Sequence, residues 1–209
     1  MNPVKVLAVR YLSNAPAMAA AFGAPQGWFC LGFLTTDCDD ATYIALDAAT
    51  KAAQVKVCFA GSFYAGAANA STPYAGEVLG VLCAPDPGAV RSGMEAALDA
   101  LAHLGFEQAG PVPYLAHTVS SVGSFLAGEA GVAEGAAIAY LIAPPLESMF
   151  ALDAALKAAQ VKLCKLYAPP SPTNFGGGLL TGTQDACQAA CEAFGLAVAE
   201  VAAKPIDNG

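Results

Sequence analysis

The sequence predicts a layered α/β fold made of two versions of one domain. Two observations carry this. A fourteen-residue stretch occurs twice, and strand-like and helix-like segments alternate in the same order around each occurrence. ALDAATKAAQVKVC runs from Ala45 to Cys58 and ALDAALKAAQVKLC from Ala151 to Cys164, identical at twelve of fourteen positions. The two differences, Thr50 against Leu156 and Val57 against Leu163, are mild. A repeat decides the architecture before any single element does. The likeness extends outward, from Leu7–Gly23 onto Leu115–Gly131 and from Gly80–Leu101 onto Gly178–Val198. The chain is therefore expected to divide into residues 1–108 and 109–209.

Each copy opens on a short apolar strand (Lys5–Tyr11; Pro113–Val119) followed by a helix of small residues. A second strand (Phe29–Thr35; Ala137–Ala143) leads into the repeated helix (Tyr43–Gln54; Met149–Gln160). A strand follows at once (Lys56–Ala60; Lys162–Tyr167). After a loop rich in Gly, Pro, Ser and Asn come a last strand (Glu77–Ala84; Gly178–Thr181) and a closing helix (Pro87–Leu104; Gln184–Ala203). Alternation of this kind gives an α/β sandwich and, by itself, leans toward a parallel sheet. In the repeated helix, Asp47 with Lys51 and Asp153 with Lys157 stand at i and i+4, acid first. That order supports a helix by roughly 0.2–0.5 kcal/mol. The alanines around them leave a smooth face that another backbone can approach closely.

Composition narrows the function classes. The chain is 56% hydrophobic and only 12% charged, against about 25% charged in ordinary soluble domains. Spare apolar surface of this kind serves association with further copies. With a net charge of −8 and nine scattered Lys and Arg, nucleic-acid binding is not expected. Apolar stretches such as Ala15–Gly23 are short and broken, so no membrane span is expected. The opening MNPVKVLAVR has neither a basic n-region nor a cleavage site, which points to a cytosolic protein. Seven cysteines without a tight framework then read as reduced thiols, with Cys58 and Cys164 as small buried hydrophobes. Cys187 and Cys191 share a helix face but lack further ligands for zinc. His103 and His117 stand apart from any nucleophile arrangement, so catalysis is not expected and no catalytic residue, cofactor or metal is assigned. GGG at Gly176–Gly178 lacks the Gly-Lys-Ser/Thr ending of a phosphate loop.

The repeated ALDAALKAAQVKLC resembles the signature helix and strand of bacterial microcompartment shell domains. Longer blocks sharpen the likeness: the run from LTTDCDDATYIALDAATKAAQVKVC to AGEVLGVL, AYLIAPPLESMFALDAALKAAQVKL, and APPSPTNFGGGLLTGTQDACQAACEAF. Together they resemble the trimeric shell proteins of ethanolamine-utilisation microcompartments, weakening only at Asn14–Gly27 and Glu107–Pro113. The resemblance implies two tandem, circularly permuted shell domains, each a small mostly antiparallel sheet with helices on one side. It implies a homotrimer with pseudo-sixfold symmetry that tiles with neighbours into the shell of a cytoplasmic microcompartment. It also puts Lys51 and Lys157 on the tile edge.

Two loops occupy matching places, Ala60–Glu77 and Ala168–Gly178. Loops rich in Gly, Ser, Asn and Pro adopt unusual dihedrals and line narrow openings with backbone polar groups. By resemblance, Ser62–Ala70 lies near the threefold axis, with Ser62, Phe63, Tyr64, Ala65, Gly66 and Ala67 as the central pore loop and Tyr64 as its plug. A second feature is TTDCDDATY, with Asp37, Asp39 and Asp40 within four residues. Helix capping accounts for one or two of these acids, and the pattern of a calcium loop is missing. The resemblance instead implies a small pore in each subunit that takes ethanolamine. Its residues carry over as Asp39, Asp40, Glu77 and Thr173, with Phe106 the weakest match. Two alternatives stay open: a tile of a related compartment, for choline or a similar compound, and a small-molecule sensor built from duplicated ferredoxin-like domains.

Overall fold

A computed structural model describes residues 2–63, 77–169 and 175–206. The elements, in chain order, are β1 (Asn2–Pro3), β2 (Val6–Leu12), α1 (Pro16–Ala21), β3 (Cys30–Thr36), α2 (Asp39–Ala52), β4 (Lys56–Phe63), β5 (Glu77–Ala84) and α3 (Pro87–Ala102). They continue with β6 (Gly105–Ala109), β7 (Val112–Val119), α4 (Ser124–Ala130), β8 (Ala137–Ala143), α5 (Pro145–Ala158), β9 (Lys162–Tyr167), β10 (Gly176–Gly182) and α6 (Gln184–Ala203). Contacts divide the chain into an N-terminal unit, Pro3–Leu104 with Gly123–Leu126, and a C-terminal unit, Met1–Asn2, Gly105–Val122 and Ala127–Gly209.

The N-terminal unit is a four-stranded sheet in the order β2-β3-β5-β4, antiparallel throughout. Strand alternation sends successive side chains to opposite faces. Leu31, Val81 and Cys83 therefore meet Ala19 of α1, with Phe22, Trp28, Phe33, Cys58 and Leu79 packed around them. On the other face lie α2 and α3. Close approach there depends on glycine. A Cβ at Gly80 would stand 2.7 Å from Leu46 of α2, and one at Gly32 would stand 2.9 Å from Val90 of α3. Asp86 begins α3, its carboxylate accepting from the Ala89 N–H at 2.9 Å, with Pro87 in the first turn.

The C-terminal unit repeats this with an extension: a six-stranded sheet in the order β1-β6-β7-β8-β10-β9. β8 (AIAYLIA) is buried at every position, as a central strand covered on both faces must be. Helices α5 and α6 pack on each other and on the sheet, around Leu141, Leu152, Leu180, Phe194 and Val198. Thr183 caps α6 by accepting from the Ala186 N–H at 3.2 Å. Among the described residues, α6 is the one helix long and apolar enough to cross a membrane on length and composition. Its Cys187, Ala190, Phe194 and Val198 face belongs instead to this core.

The paired strands run antiparallel, not parallel as alternation alone suggests, because β5 lies between β3 and β4 and β10 lies between β8 and β9, so the strands that flank each repeated helix are not neighbours. β6 lies outside the sequence expectation altogether. Its GFEQA has little β-propensity and pairs with β7 through Ala109↔Val112, across a turn that Gly110 enters at φ 61°.

The cysteines also depart from expectation. Cys58 and Cys83 form a disulfide, while Cys30, Cys38, Cys164, Cys187 and Cys191 are free. Cys58 and Cys164 are half-buried rather than buried. Both sit at register shifts on edge strands, β4 and β9, where one face of the strand stays open.

Candidate functional site

The acidic cluster is assembled at the start of α2. Cys38 is the N-cap residue in extended conformation, and its side chain makes no capping bond. The local closure comes from two threonines. Thr36 Oγ1 accepts from the Cys38 N–H at 3.1 Å and lies 2.6 Å from Thr42 Oγ1, which donates to the Cys38 carbonyl at 2.7 Å. This buried knot leaves Asp39 and Asp40 in the first turn, where the helix dipole favours negative charge.

The three acids have different fates. Asp37 is tied to the chain's beginning: its carboxylate accepts from the Lys5 N–H at 2.8 Å, and its own N–H donates to the Lys5 carbonyl at 3.1 Å. Asp39 and Asp40 are both buried, at 4% and 7% exposure. The Asp40 N–H donates to Asp39 Oδ1 at 2.9 Å. Burial pushes the Asp39 carboxyl above the usual carboxylate range. A hydrogen bond from the Ser62 side chain and the Asp40 N–H oppose that rise without cancelling it. Burial, followed by the Asp40 charge, raises the Cys38 thiol as well. The result is a desolvated pair of carboxylates with a hydroxyl against one of them. Such a pair suits a small cation that can donate several hydrogen bonds.

The remaining expected residues are distributed as follows. Ser62 lies on β4 beside Asp39, and Phe63 ends that strand with its backbone opposite Glu77, the first residue of β5. Phe106 lies in the C-terminal unit on β6, buried and edge-on to Phe175 at 5.7 Å between ring centres. Thr173 and Tyr64, Ala65, Gly66 and Ala67 lie outside the described residues. Lys51 is in the last turn of α2, its Nζ 3.6 Å from the fully buried carboxylate of Asp47. Lys157 donates to Asp153 at 2.6 Å, and both side chains are exposed. The two pairs are thus not equivalent. Asp47 turns inward and accepts from the Gly123 N–H at 2.7 Å and the Leu126 N–H at 2.9 Å.

Sequence reasoning missed the Ser62–Asp39 contact and the Thr36–Thr42 knot. The ST-type spacing of Thr36 and Cys38 was visible as a local signal, but the β4 contact was not. Also missed was an open depression of about 500 Å³ in the C-terminal unit, lined by Glu107, Tyr114, Cys191, Glu192, Gly195 and Leu196. Tyr114 donates to Glu107 there at 2.9 Å. Among the described residues, no group of three or more His, Cys, Asp or Glu is placed to hold a metal ion.

Comparison with known proteins gives this geometry a context. Residues 30–109 match the BMC domain family. The chain is 54% identical to the bacterial microcompartment shell protein EutL of Clostridium perfringens, over 96% of this chain and 95% of that one. It is 45% identical to the EutL of Escherichia coli K12, over 97% and 95% of the two chains. Among solved structures, the ethanolamine utilization protein EutL of Leptotrichia buccalis superposes with a TM-score of 0.93 at 52% identity, covering 99% of this chain and 97% of that one.

Proposed function

The chain belongs to the EutL family of bacterial microcompartment shell proteins, and from that premise we propose a homotrimeric tile with a gated central pore and an ethanolamine-binding small pore in each subunit. Residues 1–108 and 109–209 are its two shell domains, and it serves in the cytoplasm as a structural component rather than an enzyme. Lys51 and Lys157 meet neighbouring tiles at the edges.

The observation that carries the amine site is the desolvated Asp39–Asp40 pair with Ser62 against Asp39. A primary ammonium carries three N–H donors and one positive charge. It would satisfy both carboxylates and offset the burial that makes an ionised Asp39 costly. Thr173 and Glu77 supply partners for the hydroxyl and the charge, and Phe106 an apolar or aromatic face. Ser62 stands at the end of β4, where residues 64–76 begin. Filling the Asp39 site therefore acts on the root of the central-pore loop, and the proposed direction is toward closure. Primary amines are favoured over choline-like compounds because a quaternary ammonium has no N–H to give Asp39.

Calorimetry with ethanolamine on wild type and Asp39→Ala tests this. Wild type should bind, with affinity rising as pH rises through the elevated Asp39 pKa, since the cation selects the ionised carboxylate. Asp39→Ala should lose the heat. Equal heats for the two proteins would remove the site from consideration.

A further inference from the structure

The disulfide joins strands that each copy of the repeat possesses, yet only one copy can form it. In the N-terminal unit the β4–β5 ladder pairs Val57 with Leu82 and Phe59 with Val81, so Cys58 is the residue left over at the register shift. In the C-terminal unit, β9–β10 pairs Leu163 with Leu180 and Lys165 with Leu179, leaving out Cys164. The same bulge therefore holds a cysteine twice. What differs is the strand beside it. Cys83 faces Lys56 on β5, whereas Thr181 faces Lys162 on β10 and donates its hydroxyl to the Ala137 carbonyl at 2.8 Å. Cys164 remains a free thiol.

We propose that Cys58 and Cys83 form a reversible redox couple, a dithiol–disulfide site on the edge of the N-terminal sheet that exchanges with low-molecular-weight disulfides. The two sulfurs have unequal access. Cys83 is fully buried, while Cys58 is half-buried on an edge strand, with Cα atoms 6.2 Å apart. That spacing lies in the ordinary range for disulfides. Unequal access fixes the order of events. The Cys58 thiolate attacks one sulfur of a disulfide such as oxidised glutathione, expelling one glutathione thiolate and leaving a mixed disulfide. The Cys83 thiolate then attacks the Cys58 sulfur and expels the second glutathione. Two cysteine thiols are oxidised, one small disulfide is reduced, and the two protons end on the two released thiols. Excess reduced thiol reverses each step.

The position gives the couple a consequence. A bulge interrupts the ladder, and the covalent bond ties β4 to β5 at that interruption. β4 begins four residues after α2, where Lys51 lies in the last turn, and reaches Ser62 near its other end. Oxidation thus fastens, and reduction releases, the strand that runs from the last turn of α2 to the acidic site.

Full-length protein equilibrated across graded ratios of reduced to oxidised glutathione tests the proposal. After acid quench, denaturation and N-ethylmaleimide labelling, peptide masses report each cysteine. Cys58 and Cys83 should lose label together in one two-electron transition and appear as one linked peptide pair, while Cys164 forms no internal bond. Cys83→Ser should trap Cys58 as a glutathione adduct, and Cys58→Ser should leave Cys83 without an adduct in the folded protein. Independent labelling of Cys58 and Cys83 across the whole range would overturn the couple. So would Cys83 taking glutathione in Cys58→Ser as fast as Cys58 does in Cys83→Ser. Far-UV circular dichroism establishes that each variant folds, and the wild-type titration decides the matter if one does not.

Discussion

Asp47 and Asp153 hold the same place in the repeated helix, yet the side chain of Asp47 is fully buried and that of Asp153 is 63% exposed. Each stands one helical turn before a lysine, so the local sequence treats them alike. The difference comes from the Gly123 and Leu126 N–H groups, which Asp47 receives at 2.7 and 2.9 Å. Removing a buried acceptor strands its donors, which costs far more than loosening an exposed ion pair. Asp47→Ala should lower unfolding stability by about 3 kcal/mol, and Asp153→Ala by no more than about 0.5 kcal/mol. Urea denaturation of the two variants checks this, and equal losses would contradict it.

Gly177 takes φ 152°, and a Cβ there would overlap the Leu141 carbonyl oxygen of the neighbouring strand. Backbone cannot yield as a side-chain tip can, so Gly177→Ala should cost more than about 3 kcal/mol or yield no soluble protein. Gly128 in α4 meets nothing within 4 Å. There alanine should stabilise, by about 0.5–1 kcal/mol, through its better helix propensity. Thermal melts of both variants give the comparison, and a Gly177→Ala protein melting with wild type would refute the clash.

Tyr114 titrates late. Burial, then its hydrogen bond to Glu107 and that residue's charge, push the phenol from 10 up to about 12. A group whose folded pKa is raised lends stability below its unfolded pKa and loses it as pH climbs through the folded value. The contribution is therefore complete below pH 10 and gone by about pH 12. Tyr114→Phe should be less stable at neutral pH and should lose less stability across that alkaline window. Denaturation midpoints measured through the window decide it; parallel curves for the two proteins would not fit.

The edge role proposed for Lys157 would separate assembly from folding. With its side chain 75% exposed and paired to the exposed Asp153, Lys157→Glu should change unfolding stability by no more than about 0.5 kcal/mol. Electron microscopy of purified protein should show two-dimensional arrays for wild type and isolated trimeric discs for the variant. Unchanged arrays would take Lys157 off the edge.

Much of the fold could be read from periodicity and punctuation. The short apolar runs of β3 and β8 and the acid-first helices are short-range signals, and each lies where the local chemistry says. β6 was not legible, because GFEQA becomes a strand only by pairing with β7. Of the proposed amine site, Asp39 and Asp40 stood out as carboxylates beyond the needs of capping. The Ser62 hydroxyl that meets Asp39 comes from a strand more than twenty residues away, and no local pattern announces it.

The sequence by itself determined that one stretch occurs twice, in what order most of the strands and helices around it come, and to which shell family the chain is akin. Those properties follow from residue spacing and hydrophobic period, which act over a turn or a strand. Only the tertiary structure decided that Asp47 is buried and Asp153 is not, that Cys58 finds Cys83 while Cys164 finds no second sulfur, and that Asp39 is desolvated. Burial and partnership are set by what the chain brings back from far along its length, so two nearly identical sentences acquire different chemistry.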